Sequence, residues 1–260
     1  MINFSFSFHE LEYFLLIMTR VTSFIFIVPF FSMNNTPNRI KIGLGFFISF
    51  LLYNTLTPHT PVVYNTLLQY TTLVLKEAAT GLLIGFGAQI CATIVSFAGR
   101  MIDMDIGLSM ASQMDPTTRE DTTMTGLLFQ YSIMMMMIVT GLYRYFLKAL
   151  VDTFTLIPIG QAVFNNSKLL AAMTAFLSDY IIIGFRICLP VFATITLLNA
   201  VLGILAKIAP QMNMFSVGIQ LKVMTGLGIL FLTIGMLPSA ANFIFTHMKR
   251  MIVTFVEALM

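Results

Sequence analysis

The chain has 260 residues, of which 58% are apolar and only 10% charged, with a formal net charge of +3. Its mean hydropathy is +0.90, whereas water-soluble domains carry roughly 25% charged residues. That composition excludes an ordinary soluble enzyme or nucleic-acid-binding domain and places the chain in a membrane-embedded or membrane-assembled class.

A helix crosses a hydrocarbon core with roughly 20 apolar residues. Stretches of that kind run over Leu11 to Phe31, Ile40 to Leu56, Ala78 to Ala98, Thr122 to Tyr143, Ile181 to Ala206 and Val223 to His247. They predict an all-α, polytopic fold of about six long apolar helices. Met1 to Tyr13 lacks a basic start and carries His9, Glu10 and Glu12, so it does not read as a cleavable signal. Lys and Arg are nearly balanced between alternate loops, and the usual cationic bias does not set the orientation.

The first helix holds Arg20 in its apolar middle and ends at Pro29. A cation there is costly in hydrocarbon and is expected to face a carboxylate or backbone carbonyls. Turn clusters follow at Asn34 to Asn38 and at Thr57 to Pro61. The third helix opens at Lys76 and Glu77, where the macrodipole favours a carboxylate. Gly81, Gly85, Ala88, Ala92 and Ser96 then recur at spacings of three or four, a small-residue face to which another backbone can come close.

The most polar segment is next, with Gly99, Arg100, Asp103, Asp105, Gly107, Met110, Met114, Asp115 and Pro116. It reads as a loop over 99–123. Thr117 and Glu120 fit a capping box opening the following helix near Thr118. Met110 and Met114 lie within the loop, and their unbranched thioethers repack cheaply in irregular gaps. The run Met134 to Met137 covers every face of a helix and reads as core. In the last hundred residues Asp179 and Arg186 share a helix face, seven positions apart. A turn at Pro210, Gln211, Met212 and Asn213 separates the uncharged runs Ile187 to Ala206 and Val223 to Met248.

Cys91 and Cys188 read as small core residues, and the three His share no ligand spacing. With no triad, paired carboxylates or nucleotide loop, no enzymatic activity, metal or cofactor is expected.

Two groups of residues resemble the FliR family, the flagellar export-gate subunit with a counterpart in virulence type III secretion. One comprises Leu198-Asn199, Gly203, Lys207, Ala209-Pro210-Gln211-Met212-Asn213 and Leu221-Lys222; the other comprises Ala98-Gly99, Asp103, Gly107 and Asp115-Pro116. Glu77 followed by Gly81 and Gly85 is similar to a further family pattern. The resemblance covers essentially the whole chain. It departs at Gly141 to Arg144, where the family usually has a Gly-His pair.

The resemblance implies a FliP-like part over residues 1–165, including the plug loop, and a FliQ-like helical hairpin over 166–260 broken at Pro210. It implies assembly with FliP and FliQ homologues in a helical ring, much of it above the bilayer plane, with an FlhB-type subunit as a further partner. The place would be the bacterial cytoplasmic (inner) membrane at the flagellar basal body, in contact with lipid and, transiently, with unfolded exported polypeptides. Gly107, Met110, Met114, Asp115 and Pro116 would form the pore plug. Arg20, Glu77, Gly81, Gly85, Gly99, Asp103, Arg186, Asn199, Pro210, Gln211 and Asn213 would serve helix packing and subunit contacts. An injectisome subunit is an alternative. A small-solute secondary transporter is another, which predicts matching broken helices in two related halves, and no such repeat is found.

Overall fold

Long uncharged runs build helices wherever glycine and proline do not interrupt them, and among its described residues the computed structural model is all-α apart from one two-residue ladder. It describes residues 8–32, 36–56, 64, 66–110, 113–114, 121–211 and 214–260. The helices are α1 (Phe8–Ile27), α2 (Asn38–Thr55), α3 (Leu67–Ile106), α4 (Met124–Val139), α5 (Leu142–Leu156), α6 (Asn166–Ile208), α7 (Met214–Thr233) and α8 (Leu237–Ala258). Strands β1 (Gln113–Met114) and β2 (Asp121–Thr122) pair antiparallel between α3 and α4.

The six apolar stretches are redistributed among these helices. Among the described residues three helical runs, Leu67–Ile106, Asn166–Ile208 and Ser216–Ala258, are long and apolar enough to cross a membrane, or four if α4 and α5 count as one broken span. The first two stretches fall short for identifiable reasons: α1 carries Glu10, Glu12 and Arg20, and α2 carries Arg39 and Lys41 and ends in Tyr53, Asn54 and Thr55. The single helix expected over Thr122 to Tyr143 starts at Met124 and breaks at Gly141, whose φ of +69° no other residue type adopts as easily. Conversely, α6 passes through Pro190 without ending.

The chain forms two compact units, Met1–Ile90 with Gly141–Ala175 and His247–Met260, and Cys91–Thr140 with Phe176–Thr246. In the first, Leu16, Val21, Phe24 and Ile25 of α1 are buried, as are Ile84 and Ala88 of α3, Phe146 and Leu150 of α5, and Ile252 and Phe255 of α8. Helix α2 runs antiparallel to α1: Thr22 meets Gly45, while Phe14 lies edge-on to Phe46 at 5.5 Å and to Tyr53 at 6.0 Å. After α1 the backbone turns at Phe30 with φ +82°, rare for a bulky residue, and its ring stacks on Tyr143 at 6.0 Å.

Gly81 and Gly85, at the start of the small-residue face of α3, pack on α1 of the same chain. A methyl group at Gly81 would run into the Arg20 carbonyl and the Ser23 side chain, and one at Gly85 would sit 3.1 Å from the Phe24 carbonyl oxygen. A Gly81→Leu substitution is therefore expected to destabilise by about 3 kcal/mol or more, the upper end for overpacking, and Gly85→Leu by about 1–3 kcal/mol. Gly43→Leu, with nothing within 4 Å, is the control. Melting in detergent checks the order, and equal loss at all three positions would contradict it.

In the second unit Ile94, Val95, Ala98 and Ile102 of α3 are buried, with Phe129 and Ile133 of α4, Cys188, Val191 and Ile195 of α6 and Leu230 of α7. Phe97 organises the contact of α3 with α6. Its ring lies 5.4 Å from Tyr180 and 6.4 Å from Phe185, above Gly184, where a methyl group would come within 2.6 Å of it.

Candidate functional site

The polar segment does not begin as a loop at Gly99. Helix α3 continues through Gly99, Arg100, Asp103 and Asp105 and stops at Gly107, which takes φ +92° while its N–H bonds the Asp103 carbonyl at 3.0 Å. That is a left-handed glycine cap, where α3 gives way to the segment that leads to α4. Helix α4 likewise opens at Met124, after an extended Thr123, and not near Thr118; Thr117 and Glu120 lie outside the described residues.

Both ends of this loop are fastened to one another. A buried Asp103 reaches the first turn of α4: Oδ2 accepts the Thr125 N–H at 2.7 Å, and Oδ1 accepts the Thr125 hydroxyl. A helix N-terminus exposes unsatisfied N–H groups and a partial positive charge. Asp103 supplies from a neighbouring helix what a local capping residue ordinarily provides. One turn earlier, Gly99 lies so close to Gly126 that a methyl group on it would fall within 3 Å of the Gly126 and Thr125 backbones. Ser96 extends the seam by donating to Gln130 Oε1 at 3.1 Å. Three successive turns of α3 thus hold α4, and the β1–β2 ladder, pairing Gln113 with Thr122 and Met114 with Asp121, ties the loop's two arms.

Two polar atoms at this base are buried without a hydrogen-bond partner, Asp105 Oδ2 and Thr123 Oγ1. Such atoms cost stability, and they stand at opposite ends of the loop. Met110 closes a single 3₁₀ turn after Gly107, and Met114 lies in β1. Asp115 and Pro116 lie outside the described residues.

The other sequence candidates are distributed differently. Arg20 and Glu77 come together in the first unit, both fully buried, with Arg20 Nε 2.5 Å from Glu77 Oε2 and Nη2 3.0 Å from Oε1. Arg20 Nη1 donates to the Ile157 carbonyl at 2.9 Å and the Thr153 carbonyl at 3.3 Å, at the C-terminus of α5, and the guanidinium lies 4.5 Å over the Phe154 ring. Glu77 Oε1 also accepts the Gly160 N–H at 2.8 Å. A cation suits the negative end of a helix, and this buried pair locks α1, α3 and α5. Arg186 and Asn199 are exposed along α6, Pro210 and Gln211 form the exposed turn after it, and Asn213 lies outside the described residues. Among the described residues no three His, Cys, Asp or Glu side chains gather as a metal site would need.

Sequence reading missed Thr125 and Gly126, the receiving half of the clasp. A Thr-Gly pair at the mouth of an apolar helix was the available signal. Thr153, Ile157 and Gly160 contribute backbone atoms and left no signal.

The arrangement meets an independent finding. The model of the family described as "Bacterial export proteins, family 1" matches residues 11–248. The chain belongs to that family. It is similar to the flagellar biosynthetic protein FliR of Bacillus subtilis, 29% identical over 212 residues covering 81% of each chain. It is also similar to FliR of Escherichia coli, 24% identical over 242 residues, 93% of this chain and 92% of that one. With FliR of Aquifex aeolicus it shares 28% identity over 222 residues, 83% and 82%. The match spans the Arg20–Glu77 lock and the Asp103–Thr125 clasp alike, so both belong to the part of this export protein that the family model covers.

Proposed function

We propose that this chain is a structural and gating subunit of the flagellar type III protein export gate. It assembles with FliP and FliQ homologues, with an FlhB-type subunit as a further partner, in the bacterial cytoplasmic membrane at the flagellar basal body. The channel so formed passes rod, hook and filament proteins unfolded, and the chain itself carries out no chemistry. In this reading residues 1–165 are the FliP-like part and 166–260 the FliQ-like part. The relatives' name supports the flagellar reading over the injectisome one.

The observation that carries the gating role is the fastened loop. A plug must be held firmly at its base and be free to rearrange at its tip. The buried Asp103 clasp and the Gly99–Gly126 contact fix the base, while Gly107, with nothing within 4 Å of where its side chain would be, provides a joint. Exposed Leu189, Leu197, Ile204 and Ile208 on α6 leave apolar surface for neighbouring subunits and lipid.

Deleting Met110 to Asp115 is the direct experiment. Co-expressed with the FliP and FliQ homologues of the same genome, the shortened chain is expected to assemble normally and make the inner membrane leaky to ions. A correctly assembled complex with no added leak would sink the gating role.

A further inference from the structure

Between Asp179 and Lys207 helix α6 has a single charged side chain, Arg186, and it is exposed. Its neighbours on that side, Ile182, Phe185 and Leu189, are exposed and apolar. Among the described residues Arg186 has neither an ion pair nor a hydrogen bond; its guanidinium carbon lies 5.5 Å from the Phe243 ring centroid, a contact that uses none of the five N–H donors in the guanidinium plane.

Phe243 places Arg186 beside one face of α8. Ser239 and Thr246 stand four residues before and three after Phe243 on that face, Asn242 borders it, and all three are exposed. The Thr246 hydroxyl is turned to the Asn242 carbonyl at 2.9 Å. On α8 the exposed Ser239, Asn242 and Thr246 thus make a small polar strip about two helical turns long, roughly 10 Å, with Arg186 at its edge, the exposed Lys249 and Arg250 about one turn beyond Thr246, and no acid within it.

We propose that this strip docks a helix of a partner subunit bearing a carboxylate, which Arg186 takes in a bidentate pair. Charge complementarity selects an acid. Small Ser, Asn and Thr side chains let a second helix approach closely and hydrogen-bond across the contact, whereas two turns of such residues offer nothing to a lipid acyl chain. An unpaired cation on a membrane-class helix is costly, and the docked carboxylate removes that cost. This surface lies outside the clasp and the loop, and it deepens the assembly reading on which it rests.

The test uses the full chain co-expressed with its FliP and FliQ homologues. Arg186→Glu is expected to lower the yield of assembled complex about tenfold or more, the scale for breaking a desolvated charge pair, with Arg186→Lys retaining most of it. A photo-reactive p-benzoylphenylalanine in place of Asn242 is expected to crosslink a partner segment containing Asp or Glu, and converting that acid to Arg is expected to restore assembly with Arg186→Glu. Arg186→Gln gives the same comparison if Arg186→Glu fails to accumulate. Normal assembly of the Arg186 variants, crosslinking to phospholipid, a crosslinked segment without an acid, or absence of charge-reversal rescue each overturns the proposal while leaving the assembly reading standing. Failure of the wild-type chain to assemble would overturn both.

Discussion

Arg20→Ala is expected to destabilise the protein by about 3–5 kcal/mol, because it leaves the Glu77 carboxylate charged, buried and without its cation. The same change removes the donor that satisfies the Thr153 and Ile157 carbonyls at the end of α5. Glu77→Ala is expected to be comparably severe, since it strands the guanidinium and also the Gly160 N–H. Arg20→Lys does not rescue: one ammonium cannot serve two carboxylate oxygens and two carbonyls in the geometry of a planar fork. Replacing the pair together, Arg20→Met with Glu77→Leu, is expected to cost less than either single alanine, because no isolated charge remains. Thermal unfolding of the detergent-extracted chain reads all four variants. Single alanines within about 1 kcal/mol of wild type would show that the pair is incidental to the fold.

That lock shows how far sequence carries. An arginine within an apolar helix demands a carboxylate or carbonyls on energetic grounds alone, and this was legible. Which carboxylate was not, for Glu10 and Glu12 are near in sequence whereas Glu77 lies 57 residues away. The chain's apolar runs predicted helices correctly because hydrophobicity over 20 residues is a local property. Boundaries failed where a tertiary contact decided them. Gly99, Asp103 and Asp105 look like loop residues in isolation, yet they continue α3 because Gly126 and Thr125 receive the first two, and the Asp103 partner is 22 residues on. The reverse occurs at Gly141, where an apolar stretch reads as one helix and a single left-handed residue divides it. The small-residue face of α3 was recognisable as a packing surface from its spacing; its occupants, α1 against Gly81 and Gly85 and α4 against Ser96, depend on the fold.

The clasp yields the second large effect. Asp103→Ala leaves the Thr125 N–H and hydroxyl without their buried acceptor, at about 1–3 kcal/mol for each unsatisfied group. Asp103→Asn keeps one acceptor oxygen and is expected to lose about half as much. Gly99→Leu forces the first turn of α4 away from α3, since its side chain would enter the Gly126 backbone; about 3 kcal/mol or more is expected. Hydrogen exchange separates a local from a global effect. If the clasp only pins the loop, amides at the start of α4 exchange about tenfold faster or more in Asp103→Ala, each factor of ten reflecting about 1.4 kcal/mol of local opening, while α1 and α5 keep their protection. Under the proposed gating role, ion leak through the assembled complex should then rise in the order wild type, Asp103→Asn, Asp103→Ala, because in that role a loop whose base is loose would close poorly even with its tip unchanged. Faster exchange with no leak would separate the clasp from gating and assign Asp103 to folding alone. Leak that appears only when the loop itself is removed would place the seal wholly in the tip, with its base tolerant of movement.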